Sequence, residues 1–449
     1  MASTHGIART NRSRTDEQRQ QDLDRIQKYR DLDDQIQLHV KQSNYSDPTL
    51  FHLTTKILRL NPEYYTIWNV RRRCLISGSL SKRSAGLWRS KASPSTSRSV
   101  TTKPSCAASS PSPSAATRPA PATSPSPKKA GESGTIPDEE EADPCNAGKE
   151  EEKDGDDEEA DIAADTSLVQ SELAFTIPLL IEFPKCYWVW GYRSFFLSLC
   201  DAILPAGAAR DFWAAELALD SKMLTKDRRN FHAWSYRRFI VSALESTTTK
   251  NDGDESAKAK SMTESEFAYT YSMIKVDLSN FSAWHNRSNL ALRLLDERGA
   301  DDAARKKFLD QELELAREGL NVGPEDQSLW YYHQFLMDQI TTTVGASSKG
   351  VGENGKEAKG LIAPNLSLAD RRDFVDREVA EIKDLLEDYA DAKLIYEALL
   401  EYGIAYRAMG ESDADTANQD EMMAWLAKLK ELDPLRRGRW DDLEKSLQA

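Results

Sequence analysis

Six tryptophans stand in look-alike settings along this chain, and that recurrence constrains its fold more than any other feature. The fullest copy runs Asp227-Arg-Arg-Asn-Phe-His-Ala-Trp-Ser-Tyr-Arg-Arg238 and centres on Trp234. Alignment on that residue finds Trp68, Trp190, Trp284 and Trp330 in similar company, and Trp440 in a weaker copy. Proline stands six residues before the tryptophan at Pro62, Pro184, Pro324 and Pro434. Asparagine or aspartate stands four before it at Asn230, Asn280 and Asp326, and arginine three after it at Arg71, Arg193, Arg237 and Arg287.

The pattern is that of a helix stopped and restarted. Proline lacks an amide donor and keeps the preceding residue out of the α region, so each proline closes one helix. Asn230, Asn280 and Asp326 are N-caps for the next. Tryptophan and arginine at i and i+3 share one face, where the indole fills an interhelical groove and the guanidinium bonds carbonyls or carboxylates. Each unit is then a helical hairpin. The steps from Trp190 to Trp234, to Trp284 and to Trp330 are 44, 50 and 46 residues, the period of an all-α solenoid of stacked hairpins. The step from Trp68 to Trp190 is 122 residues, so something is inserted there.

Composition locates the insertion. Residues 79–165 are rich in Ser, Pro, Ala and Thr, then acidic, with few large apolar side chains, and are expected to be disordered throughout. The net charge of −14 is concentrated: residues 131–165 hold 16 acids and two lysines, whereas 79–130 hold nine basic residues and no acid. No basic stripe with interleaved aromatics occurs, which argues against a nucleic-acid partner. The remaining divisions are 1–78 for an N-terminal tail, helix and first repeat, 166–340 for repeats two to five, 341–366 for a flexible Gly/Ser-rich linker, and 367–449 for closing hairpins. Five scattered cysteines without a Cys-x-x-Cys pair indicate neither a disulfide framework nor a thiolate zinc site. With no secretory leader and no apolar run long enough to span a bilayer, a cytoplasmic protein is expected.

The chain shows no chemistry of its own. None of its six histidines is paired at metal-ligand spacing, and no phosphate loop, nucleophile elbow or kinase signature occurs. The repeated Pro-x5-Trp-x2-Arg pattern, however, resembles the α subunits of protein prenyltransferases over about residues 15–78 and 167–447. Arg-Asn-Phe-His-Ala-Trp-Ser-Tyr-Arg-Arg, Asn-Phe-Ser-Ala-Trp-His-Asn-Arg-Ser and Asp-Gln-Ser-Leu-Trp-Tyr-Tyr-His are most similar to the type II (Rab) geranylgeranyltransferase branch.

The resemblance implies a crescent-shaped, tetratricopeptide-like right-handed superhelix embracing a β subunit. It also implies transfer of geranylgeranyl from geranylgeranyl diphosphate to the C-terminal cysteines of Rab GTPases presented by a Rab escort protein. Zinc would be held by the β subunit and none by this chain alone. By motif match, Lys185 would be the catalytic cation at the diphosphate, with Tyr187, Asn230 and His232 as neighbouring diphosphate-binding groups. The tryptophans and arginines would be structural, and His5, in a His-Gly pair near the N-terminus, a transient zinc ligand or simply part of a tail. Cys186 departs from the Asn or Ser frequent at its position. Two rivals remain: the α subunit shared by farnesyltransferase and type I geranylgeranyltransferase, and a non-enzymatic tetratricopeptide-like scaffold, whose 34-residue period fits these spacings poorly.

Overall fold

The computed structural model describes residues 15–92, 147–251, 261–342, 360–410 and 419–448, with backbone alone for 92, 147–156 and 247–251. Every regular element among them is helical: α1 (Asp16–Lys41), α2 (Pro48–Leu60), α3 (Tyr65–Cys74), α4 (Lys82–Ala92), α5 (Ala147–Glu182), α6 (Tyr187–Ile203), α7 (Ala206–Lys226) and α8 (Phe231–Asn251). There follow α9 (Thr263–Val276), α10 (Phe281–Glu297), α11 (Asp302–Val322), α12 (Gln327–Thr341), α13 (Leu368–Asp388), α14 (Lys393–Ala408), α15 (Gln419–Leu432) and α16 (Arg437–Gln448). The chain divides into two compact units. One holds Met1–Ile57, Thr66–Glu172 and Ala202–Leu204, the other Leu58–Tyr65, Leu173–Asp201 and Pro205–Ala449.

Local chemistry sets the helix ends. Thr15 and Ser367 open α1 and α13 with reciprocal capping boxes to Gln18 and Asp370. Asn280 and Asp326 cap α10 and α12 through their side-chain oxygens. In the first unit α3 runs into a π-helical turn over Leu75–Ser79. A Cβ at Gly78 would lie 2.7 Å from the Ser46 Cα, so only glycine lets the two backbone segments meet there.

The arginines three residues after each tryptophan are buried, and each reaches a glutamate. In the first unit Arg71 Nε and Nη2 donate to Glu172 at 2.7 and 2.5 Å. In the second unit Arg193 pairs with Glu216, Arg237 with Glu266 (2.7 and 2.7 Å) and Arg287 with Glu312 (2.6 and 2.6 Å). These three pairs run from the second helix of one hairpin to the first helix of the next. Tyr236 and Tyr332 hydroxyls add bonds of 2.6 Å to Glu216 and Glu312. After Trp330 the arginine is replaced by His333, whose Nε2 lies 3.1 Å from Glu378 while its Nδ1 meets the Tyr402 hydroxyl at 2.8 Å. Aromatic rings cover the guanidinium faces, Phe51 over Arg71 at 4.0 Å, Tyr269 over Arg237 at 3.5 Å and Phe267 over Arg287 at 3.7 Å.

The structure corrects two expectations. The segment 79–165 is not unstructured throughout, since α4 lies inside it and α5 begins inside it. Ser81 Oγ accepts from the Ser84 amide at 3.1 Å as an N-cap, and buried Asp165 takes hydrogen bonds from the Ser81 amide and hydroxyl at 3.0 and 2.7 Å. Averaging composition over the window hid these local anchors, and residues 93–146 lie outside the described residues. Second, residues 360–366 of the expected linker are held in place: Ile362 and Ala363 are buried, the Ile362 amide donates to Gln339 at 3.0 Å, and its carbonyl accepts from Arg305 at 2.9 Å. Between Trp330 and Trp440 lies a further copy that carries no tryptophan. The hairpin α13–α14 intervenes, with Tyr396 in the tryptophan's place and its hydroxyl on the Ala390 carbonyl at 2.8 Å.

One latch carries an extra charge. Fourteen residues before the tryptophan, Thr54, Thr176 and Thr270 each accept a hydrogen bond from their arginine. Repeat three has Asp220 there. Its carboxylate is buried without a hydrogen-bond partner, 3.6 Å from Arg237, whose forked bond goes to Glu266. Burial above all, opposed by Arg237 and reinforced by the charges of Glu266 and Glu216, pushes its carboxyl up to about 8. An unfolded aspartate ionises near pH ~4. Between there and pH ~8 the unfolded chain releases a proton that the fold retains, so Asp220 lowers stability progressively as pH rises.

Asp220→Thr is therefore expected to raise unfolding stability by about 1–3 kcal/mol at pH 8, with a smaller gain at pH 5, by denaturant melts at both pH values. A loss at pH 8 would contradict this. Arg193→Ala, which strands Glu216 in the core, is expected to cost about 3–5 kcal/mol in the same assay.

Candidate functional site

The candidate residues lie in the turns where one helix of a hairpin hands over to the next. These turns in the second unit are stitched into a continuous row. The carbonyl six residues before each tryptophan accepts from that residue's indole: Pro184 from Trp190 (2.9 Å), Arg228 from Trp234 (2.8 Å), Leu278 from Trp284 (2.7 Å) and Pro324 from Trp330 (2.7 Å). Two of those carbonyls take a second bond from the following repeat. Asn230 Nδ2 donates to Pro184 and Asn280 Nδ2 to Arg228, both at 2.9 Å. Cys186 occupies the matching position of its repeat, and its thiol donates to the Pro62 carbonyl at 3.4 Å. The exchange of Asn for Cys thus keeps the stitch, while burial raises the thiol to about 11 and leaves it unreactive.

This geometry divides the four candidate diphosphate-binding residues. Asn230 is buried, with its amide on Pro184 and its side-chain oxygen accepting from the His232 and Ala233 amides at 3.0 and 3.3 Å. Both ends of that side chain serve the fold. Lys185, Tyr187 and His232 face outward instead. The Lys185 side chain is 78% exposed, its ammonium 3.9 Å from Asp227, and Tyr187 is 59% exposed. The Tyr187 ring meets the half-buried His232 edge-on at 6.1 Å between centroids. Burial holds the His232 imidazole below its usual pKa, with the nearby Glu63 charge acting in the opposite sense, so the ring is neutral at pH 7. The arrangement offers an anion one ammonium, one phenol and one neutral imidazole, beside the amino end of α6, where the helix dipole is positive.

Around these groups runs an apolar stripe that the tryptophan alignment overlooked. Three residues before the tryptophan stand Tyr65, Tyr187, Phe231 and Phe281, all substantially exposed, with Leu60, Val276 and Val322 exposed at the preceding helix ends. Tyr65 packs on Trp188 at 4.3 Å, Trp188 on Tyr187 at 5.1 Å, and Phe281 on Tyr331 at 6.0 Å. The signal was present as an aromatic at a fixed offset in four copies. The same is true of Glu172, Glu216, Glu266 and Glu312, each eighteen residues before its tryptophan. Among the described residues no group of three or more His, Cys, Asp or Glu is placed to hold a metal ion, and His5 lies outside them. None of the helices described is long and apolar enough to cross a membrane.

Tandem hairpins locked by buried Arg–Glu pairs define an all-α helical-repeat protein with a polar and aromatic row along its turns. The model of the protein prenyltransferase alpha subunit repeat matches residues 48–77, 169–200, 213–244, 263–294 and 309–340. The chain thus carries five copies of the protein prenyltransferase alpha subunit repeat. It is 27% identical over 354 residues to the geranylgeranyl transferase type-2 subunit alpha of Candida albicans, covering 74% of this chain and 72% of that one. With the Saccharomyces cerevisiae protein of the same description it shares 29% over 271 residues, 60% of this chain and 71% of the yeast one. The rat protein is 35% identical over 173 residues, 38% of this chain and 26% of its own length.

Asn230→Ala, losing both cap and stitch, is expected to cost about 2 kcal/mol in unfolding stability, and Asn230→Asp, which keeps the cap, about half of that. Unchanged melting with impaired activity would instead mark Asn230 as a ligand-binding group.

Proposed function

We propose that this chain serves as the α subunit of a type-2 geranylgeranyltransferase. Paired with a β subunit, it would transfer geranylgeranyl from geranylgeranyl diphosphate to C-terminal cysteines of Rab GTPases presented by a Rab escort protein. The observation that carries this reading is the pairing of Lys185, loosely held and mostly exposed, with a row of exposed aromatics at one repeat position. An exposed apolar row of that kind is what a second polypeptide covers. Similarity to type-2 alpha subunits from yeasts and a mammal supports the choice of branch.

The part played by these residues follows from charge. As the C–O bond to diphosphate breaks, negative charge gathers on the leaving oxygens, and a fixed ammonium there lowers the barrier more than it tightens the ground state. Lys185 supplies that charge, while the Tyr187 hydroxyl and a His232 N–H donate to the remaining oxygens. In this reading the zinc of such an enzyme would be held by the β subunit. A partner closing over the turns would exclude water and strengthen each of these interactions.

The test is co-expression with a type-2 β subunit and measurement of lipid transfer to a Rab with and without escort protein. Transfer that requires the escort supports the reading. Transfer to a short peptide in its absence would favour the farnesyl/type I branch, and none with any β subunit a scaffold. In the assembled heterodimer, Lys185→Ala is expected to slow transfer on the order of 10- to 1000-fold without dissociating the subunits. Phe231→Glu with Phe281→Glu is expected to abolish co-purification of the β subunit while leaving the chain helical by circular dichroism.

A further inference from the structure

The turns of the second unit carry an outer ladder of polar pairs beside the backbone stitches. In it the residue five places before one tryptophan faces an acidic residue in the following turn. Between repeats three and four this is Arg229 with Asp277, a forked pair with bonds of 3.0 and 2.8 Å. Those bonds hold the Asp277 carboxyl below its ordinary range. Between repeats four and five the Ser279 hydroxyl donates to Asp326. Between repeats two and three the same place is taken by Lys185 and Asp227, and there the rung is open. The ammonium stands 3.9 Å from the carboxylate, beyond hydrogen-bond reach, and is 78% exposed, against 55% for Arg229.

We infer that Asp227 is a positioning residue that sets how strongly Lys185 takes hold of diphosphate. The inference rests on the reading that Lys185 meets the leaving group. A lysine side chain has four rotatable bonds and wanders unless something restrains it. An acid at 3.9 Å restrains it without occupying it, because an exposed pair at that distance is weak and yields readily to a stronger anion. A closed fork like Arg229–Asp277 would have to be broken before any anion could bind. The Asp227 charge also stays close to the bound diphosphate and opposes it, which limits how tightly the pyrophosphate product is retained.

The experiment is a mutant cycle in the αβ heterodimer, reading inhibition by inorganic pyrophosphate together with kcat and KM for geranylgeranyl diphosphate. Asp227→Asn is expected to lower the pyrophosphate inhibition constant about 3- to 10-fold, the scale of removing one partly exposed charge next to a bound anion. In a Lys185→Ala background the same change is expected to have at most a small effect. Lys185→Arg is expected to close the rung as Arg229 does and to slow transfer although the charge is kept. Adding Asp227→Asn to Lys185→Arg is expected to restore most of the rate, a rescue that a merely structural aspartate would not give. An unaltered inhibition constant in Asp227→Asn, or an absence of rescue, overturns the inference while leaving Lys185 in the mechanism. If Lys185→Ala itself changes neither rate nor inhibition, the functional reading fails instead.

Discussion

The first four repeats each depend on a buried guanidinium. Such a charge is tolerable in a low-dielectric interior only if its donors are all met, and Arg71, Arg193, Arg237 and Arg287 each meet a glutamate through a two-bond fork. Net stabilisation by such a pair is small, because desolvation cancels most of the attraction. Its effect is on register. A helix displaced by one residue would leave both a guanidinium and a carboxylate unpaired in the core, several kcal/mol above the aligned arrangement. In the second unit the forks span 23, 29 and 25 residues, whereas Arg71 and Glu172 are 101 apart. A long insertion is tolerated between those partners because loop-closure entropy grows only slowly with length, while the pair constrains its two ends alone.

The tryptophans carry a second set of constraints. The indoles of Trp190, Trp234, Trp284 and Trp330 point their N–H at a carbonyl of the helix break before them, so one residue fills the interhelical groove and satisfies a backbone acceptor. That double duty explains why tryptophan recurs where another large apolar residue would fill the space. It also explains the substitution at Tyr396, whose hydroxyl reaches the matching Ala390 carbonyl. Trp440 shows the limit of the rule. Its indole nitrogen is buried without a partner, and no further hairpin follows it in the described chain.

What the sequence made legible follows from distance along the chain. The hairpin breaks, the caps at Asn280 and Asp326 and the core role of the tryptophans all lie within a few residues of the alignment centre, where local stereochemistry decides them. The latch glutamates sit eighteen residues upstream and belong to a different helix, so pairing them with the arginines required the fold. Asn230 was read as cap and as ligand together, and only its contact with Pro184 assigns the amide to the scaffold. The helices α4 and α5 were hidden for another reason. Acidic and small residues are adequate helix formers, and the burial of Asp165 depends on Ser81, eighty-four positions away, which no composition window joins to it.

The same partition of residues explains why the exposed polar and aromatic groups stand at the turns. The position four before the tryptophan points inward and is consumed by stitching, while those five and three before it point outward. In repeats two to four the inner position donates to a carbonyl, through Cys186, Asn230 and Asn280, whereas Asp326 in repeat five accepts instead, and the position five before is the one that varies between repeats. Arg229 closes its rung, Ser279 bonds its acid without a charge, and Lys185 leaves its rung open. Lysine suits the open position because a compact ammonium on a flexible stem makes no fork with a carboxylate, whereas arginine at the same site locks to it. A repeat scaffold thus holds an exposed ammonium in place with rigid backbone on either side and leaves only its last few bonds to move.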